Sequence, residues 1–125
     1  MDKATLVGLD IEAGSAVISS LQKAGVDPKV ALWLVTPEYE DGRLVIASPA
    51  LDQTDIRQAY EKLVEILRGQ FVHELPLIMV LRMKDPFIKT LRQIFSKTKS
   101  VEGMRLGGQS IGNRFVSDAY VYRIQ

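Results

Sequence analysis

The chain has 125 residues and a formal net charge of +1, with 46% hydrophobic and 25% charged positions, an ordinary balance for one globular domain spanning 1–125. It contains no cysteine, which excludes disulfides and thiolate metal sites. No apolar run approaches the ~20 residues of a membrane span, and the acid-bearing N-terminus lacks a signal-peptide core, so the composition predicts a cytoplasmic protein.

Residues 9–24, LDIEAGSAVISSLQKA, read as the first helix, with Asp10 as N-cap, Glu12 in the first turn and Gly25 at the C′ position. Gly14 costs about 1 kcal/mol against Ala in a helix interior, which points to a close packing contact; the simpler reading is that this face just lies on a sheet. Val26-Asp27-Pro28 returns the chain to extended geometry. Val30 to Ser48 then reads as a β-hairpin, two apolar runs flanking a polar segment that ends in Asp41-Gly42. Its first strand is apolar on both faces and must be covered twice, which makes it central.

Ser48-Pro49 ends the second strand. Asp52 is the expected cap of a helix over 53–68, with Asp55 in the first turn and Gly69 as its stop. Ile56, Ala59, Tyr60, Leu63, Val64 and Leu67 form its apolar stripe, and Arg57 and Glu61 sit one turn apart on the solvent side. Residues 75–81, LPLIMVL, read as a third strand, again apolar on both faces and so expected in the sheet interior. Asp85 and Pro86 then open a third helix as N-cap and first helical residue. Its expected buried face is Phe87, Ile88, Leu91, Ile94 and Phe95.

The last quarter reads as two strands, about 103–107 and 114–124, separated by the glycine-bearing segment GGQSIGN. Alternation places Tyr120, Tyr122 and Ile124 on one face of the final strand and Ala119, Val121 and Arg123 on the other. The predicted fold is α+β: a mixed sheet of about five strands with three helices, in the order αββαβαββ. Helices on both faces, or one face closed by a partner, would cover the apolar strands.

Candidate chemistry is sparse. The one histidine, His73, has no second imidazole to complete a metal site. Asp52 and Asp55 could hold Mg²⁺, but both already suit a helix N-terminus. No serine sits in a nucleophile-elbow context. GGQSIGN lacks a phosphate-loop lysine and reads as a turn or bulge. No catalytic, cofactor or metal site is assigned, and no cofactor is expected.

Charge is unevenly distributed. Residues 1–81 carry 7 Lys and Arg against 12 Asp and Glu, net −5, whereas residues 82–125 carry 9 against 3, net +6. Arg82, Lys84, Lys89, Arg92, Lys97, Lys99, Arg105 and Arg114 are therefore candidates for contacting nucleic-acid phosphates. A solvated helix face is the competing reading, since no nucleic-acid motif accompanies them.

ALWLVTPE, RLVIASPALD, the Asp85-Pro86 pair and the closing DAYVYRI resemble a family of small single-domain bacterial proteins with no assigned activity. The resemblance implies a bacterial or phage-related cytoplasmic origin and carries over no site residues. Three functions follow in order of preference. The first is a non-enzymatic protein-interaction or self-associating module, a homodimer formed through an exposed final strand. The second is a nucleic-acid-binding protein using the basic face of 82–105. The third is a small hydrolase or phosphotransferase built from Glu38, Arg43, Asp52 and Asp55.

Overall fold

The computed structural model describes residues 8–38, 41–68, 76–98 and 100–125. The expected roles of Gly69, His73 and Lys99 lie outside these residues. The elements are α1 (Gly8–Lys23), β1 (Val30–Val35), β2 (Arg43–Ala47), α2 (Pro49–Asp52), α3 (Ile56–Leu67), β3 (Ile78–Val80), α4 (Pro86–Ile94), β4 (Arg105–Leu106), β5 (Gln109–Ile111), β6 (Arg114–Val116) and β7 (Asp118–Ile124). Five strands form a mixed sheet in the order β3-β2-β1-β7-β4, and β5 pairs with β6 as a separate hairpin. The fold is α+β, as the sequence predicts. It adds a short helix, α2, and subdivides the last quarter into four strands.

β1 is the central strand, antiparallel to both β2 and β7, and all six of its residues are buried. Each of its faces meets a separate core. Ala31, Trp33 and Val35 pack with Val17 and Leu21 of α1 and Ala59, Leu63 and Leu67 of α3. Val30, Leu32 and Leu34 pack with Phe87, Ile88 and Leu91 of α4 and with Ile111 and Val116 of the hairpin. A strand with no polar side is thus covered twice, by helices on both faces.

Helix ends follow local chemistry, with two corrections. Asp10 lies in the first turn of α1 rather than before it. The C-terminus of α1 closes as a Schellman motif, with Gly25 at φ 85 donating to Gln22 O and Val26 N–H donating to Leu21 O. Asp55, not Asp52, caps α3, its carboxylate accepting from Gln58 N–H at 2.8 Å. Asp52 ends α2 instead, because Ser48 caps a separate turn with Pro49 in first position. Asp85 and Pro86 open α4 as predicted.

Three further expectations are revised. β3 is parallel to β2 and lies at the sheet edge, not in the interior. Its rim is not bare, since Val80 N–H donates to the Tyr60 hydroxyl at 2.9 Å. The final strand is not exposed for pairing, because β7 runs between β1 and β4. A register shift between Ala31 and Leu32 makes Tyr122 the extra residue of a bulge. Alternation breaks there, so Ile124 joins Ala119 and Val121 on the α4 side while Tyr120 and Tyr122 face α1.

The GGQSIGN segment is more than a connection, for it contains β5 and the turn into β6. Gly112 sits at φ 60, and a Cβ there would lie 2.7 Å from Pro86 O and 2.9 Å from Phe87 Cα. Glycine lets the hairpin turn seat directly on the start of α4.

A candidate interaction surface

α3 carries the most exposed apolar row beside the open edge of the sheet. Ala59, Leu63 and Leu67 point into the core, and Ile66 is partly buried beside them. The stripe is therefore rotated from the predicted one. Ile56 and Val64, expected inside, are 41% and 52% exposed. The cause is Tyr60, which reaches over the rim to take the Val80 amide that points away from β2. Ile56, Tyr60 and Val64 fall at successive i+4 steps and form one ridge along the helix. Charged side chains flank it. Arg57 and Glu61 form the predicted i,i+4 pair at 3.5 Å, both highly exposed, a contact worth only a few tenths of a kcal/mol. With Glu65 and Arg68 they line a groove of about 550 Å³ against Tyr60 and Val64. An apolar row with a charged flank beside an edge strand suits docking of another protein surface.

Leu77, 51% exposed, lies at the entrance to β3. Its strand neighbours divide between the two cores, Ile78 and Val80 toward α3 and Met79 toward α4. Alternation thus places Leu77 on the opposite face of the edge from the α3 ridge.

The seven basic candidates among the described residues do not form one face. Arg82 donates to Leu51 O at 3.0 Å and stands 3.9 Å from Asp52, tying α2 to the segment after β3. Arg105 is paired with Asp118 at 2.8 Å on the sheet edge. Arg114 is partly buried in the hairpin. Lys89 and Arg92 do come together, lining an open groove of about 500 Å³ with Gln93, Ser96 and Gln125, where Arg92 Nε donates to Gln125 O at 2.7 Å. Lys84 and Lys97 are exposed, with no ion pair among the described residues. Ile94, predicted to be buried, is 56% exposed on the same helix.

The four residues of the hydrolase reading do not converge. Glu38 and Arg43 sit at the turn end of the hairpin, whereas Asp52 follows the opposite end of β2, a strand of five residues or roughly 17 Å. Asp52 accepts from Met83 N–H at 3.1 Å, and Asp55 is committed to its cap. Among the described residues no cluster of three or more His, Asp or Glu could hold a metal ion. No helix described is long and apolar enough to cross a membrane.

Two polar clusters escaped the sequence reading. Trp33 Nε1 donates to Asp10 O at 2.7 Å and the Tyr122 hydroxyl donates to Ile11 O at 2.6 Å, so both rings are pinned to the first turn of α1. Gly14 leaves room for them, since a Cβ there would lie 2.7 Å from Trp33 Nε1 and closer still to the Tyr122 hydroxyl. Burial pushes the Tyr122 phenol well above its usual range; the bond with Trp33 opposes this, while Tyr120 and Asp10 add to it. The second cluster centres on Asp27, which accepts from Arg123 at 2.8 Å and Lys29 at 3.4 Å. Desolvation would raise the Asp27 carboxyl, but Arg123, Lys29 and Gln22 together outweigh it and hold it below the usual carboxylate value. Both clusters join segments far apart in sequence, so neither leaves a local motif.

Fold and surface together define a small α+β domain with an apolar ridge at one sheet edge. The chain matches no protein-family model, no curated protein and no solved structure.

Proposed function

We propose that this is a non-enzymatic protein-interaction module of the bacterial cytoplasm that associates with itself or another protein through the outer side of α3. The observation that carries the reading is the ridge of Ile56, Tyr60 and Val64, with Ile56 and Val64 exposed, beside the edge strand β3. Ile94 and Phe115 are also exposed, at 56% and 45%, but singly on α4 and the hairpin, whereas Ile56, Tyr60 and Val64 form a continuous row. Concentration-dependent amide shifts test the reading. Between about 10 µM and 1 mM, a range set by weak interfaces, shifts confined to α3 and β3 are expected. Spectra that do not change with concentration would remove self-association as the function.

A second reading draws on α4. From Pro86 to Val101 there is no acidic residue, and Lys89, Arg92 and Lys97 lie along this stretch. Such a surface suits a phosphate backbone, with affinity falling steeply as salt rises. Titration with single- and double-stranded DNA and RNA at low and moderate salt checks it. Binding that Lys89→Glu leaves unchanged would discard it.

A further inference from the structure

We infer that the occupant of the α3 ridge is a second copy of this chain, its α3 antiparallel to the first and crossing it at Tyr60; this rests on the interaction-module reading above. The spacing of the ridge is the first support. Ile56 and Val64 lie four residues either side of Tyr60, so a two-fold axis at Tyr60 sets Ile56 of one copy against Val64 of the other, and the reverse. Each exposed apolar side chain then meets an apolar partner, as an isologous contact requires.

Charge is the second support. Arg57 and Glu61 lie on the same flank of the ridge and are already paired within the helix at 3.5 Å. In an antiparallel arrangement the same flank of each helix faces its counterpart. Arg57 of one copy is thereby brought beside Glu61 of the other, twice over, closing a ring of alternating charge. A parallel two-fold pair would instead carry this flank to opposite sides of the contact and leave the two Arg57–Glu61 sets apart. Charge therefore selects the antiparallel pairing.

Geometry is the third. When the i±4 ridge of each helix lies in the groove beside the other's, the axes cross near −50°, which concentrates contact around the central residue. Strand pairing is the competing route to a dimer, and Tyr60 obstructs it by occupying the outward Val80 amide. The ridge spans part of a 12-residue helix, far below the ~800 Å² per partner of a standard interface, so the dimer is weak and concentration-dependent.

Sedimentation equilibrium from about 10 µM to 1 mM tests this, with circular dichroism confirming that each variant folds. The wild type is expected to approach twice 14.0 kDa at the top of the range. Val64→Asp is expected to stay monomeric and Val64→Ile to associate like the wild type. Arg57→Glu and Glu61→Arg should each weaken association about fivefold to tenfold, and the double variant should restore it. A wild type monomeric throughout overturns both the second-copy occupant and the self-association behind it, even if another protein binds the ridge. Dimerisation that survives Val64→Asp leaves self-association standing and moves it off α3. Dimerisation that Val64→Asp abolishes, but that the single charge reversals leave unchanged or the double reversal fails to restore, overturns the antiparallel register.

Discussion

At Gly14 two effects of opposite sign meet. Alanine would improve helix propensity by about 1 kcal/mol. Its Cβ would also sit 2.7 Å from Trp33 Nε1, against two rings held in place by bonds to Asp10 O and Ile11 O. Overpacking of this kind costs about 1–3 kcal/mol and breaks those bonds if the rings move, so packing wins. Gly14→Ala is therefore expected to lose about 1 kcal/mol in urea denaturation, and an unchanged or higher midpoint would show that the aromatic pair gives way freely. Tyr122 makes a related prediction in pH. Its phenol is held protonated in the fold, while in the unfolded chain it ionises near the ordinary tyrosine value of 10.0. Stability from this group is complete below that pH and is lost as pH rises above it. Thermal melts from pH 8 to 11 should show an alkaline decline that is smaller in Tyr122→Phe.

Among the elements, the ones legible in sequence are those whose signals are local. β1 declares itself by having no polar face, and α4 by Asp85 and Pro86. α3 is legible as a helix but not in its rotation, because Ile56 and Val64 border the buried stripe and only the Tyr60–Val80 bond decides which way they turn. β3 is too short and too apolar to reveal that it lies at an edge, since its shielding comes from another element. The bulge at Tyr122 is equally silent, for it depends on register with β1. Long-range ties of this kind also join the turn after α1 to β7 through Asp27 and Arg123. Because the Asp27 carboxyl is depressed in the fold, its contribution is present above its unfolded value of 3.8 and lost as pH falls through the folded value. Between pH 6 and about 2.5, the acid loss of thermal stability should be smaller in Asp27→Asn; an identical slope would show that the cluster is too solvated to matter.

For the molecule as a whole, part of the charge imbalance between residues 1–81 and 82–125 is met by ion pairs within the fold. Arg82, Arg105 and Arg123 each face an acid of the same chain, Asp52, Asp118 and Asp27 respectively. Among the apolar side chains the fold leaves exposed, those of α3 form a continuous row where the helix overhangs β3. The absence of cysteine makes its proposed pairing directly testable. Ile56→Cys and Val64→Cys proteins would be mixed and oxidised mildly at high concentration, with Lys89→Cys on α4 as the comparison. Antiparallel crossing at Tyr60 makes position 56 of one copy and position 64 of the other the nearest pair for a disulfide, whereas 56 and 56, or 64 and 64, are separated by roughly 12 Å along the helices. Preferential formation of the mixed 56–64 dimer over either homodimer is the expected result. Mixed dimer no more abundant than that formed with Lys89→Cys would contradict the pairing.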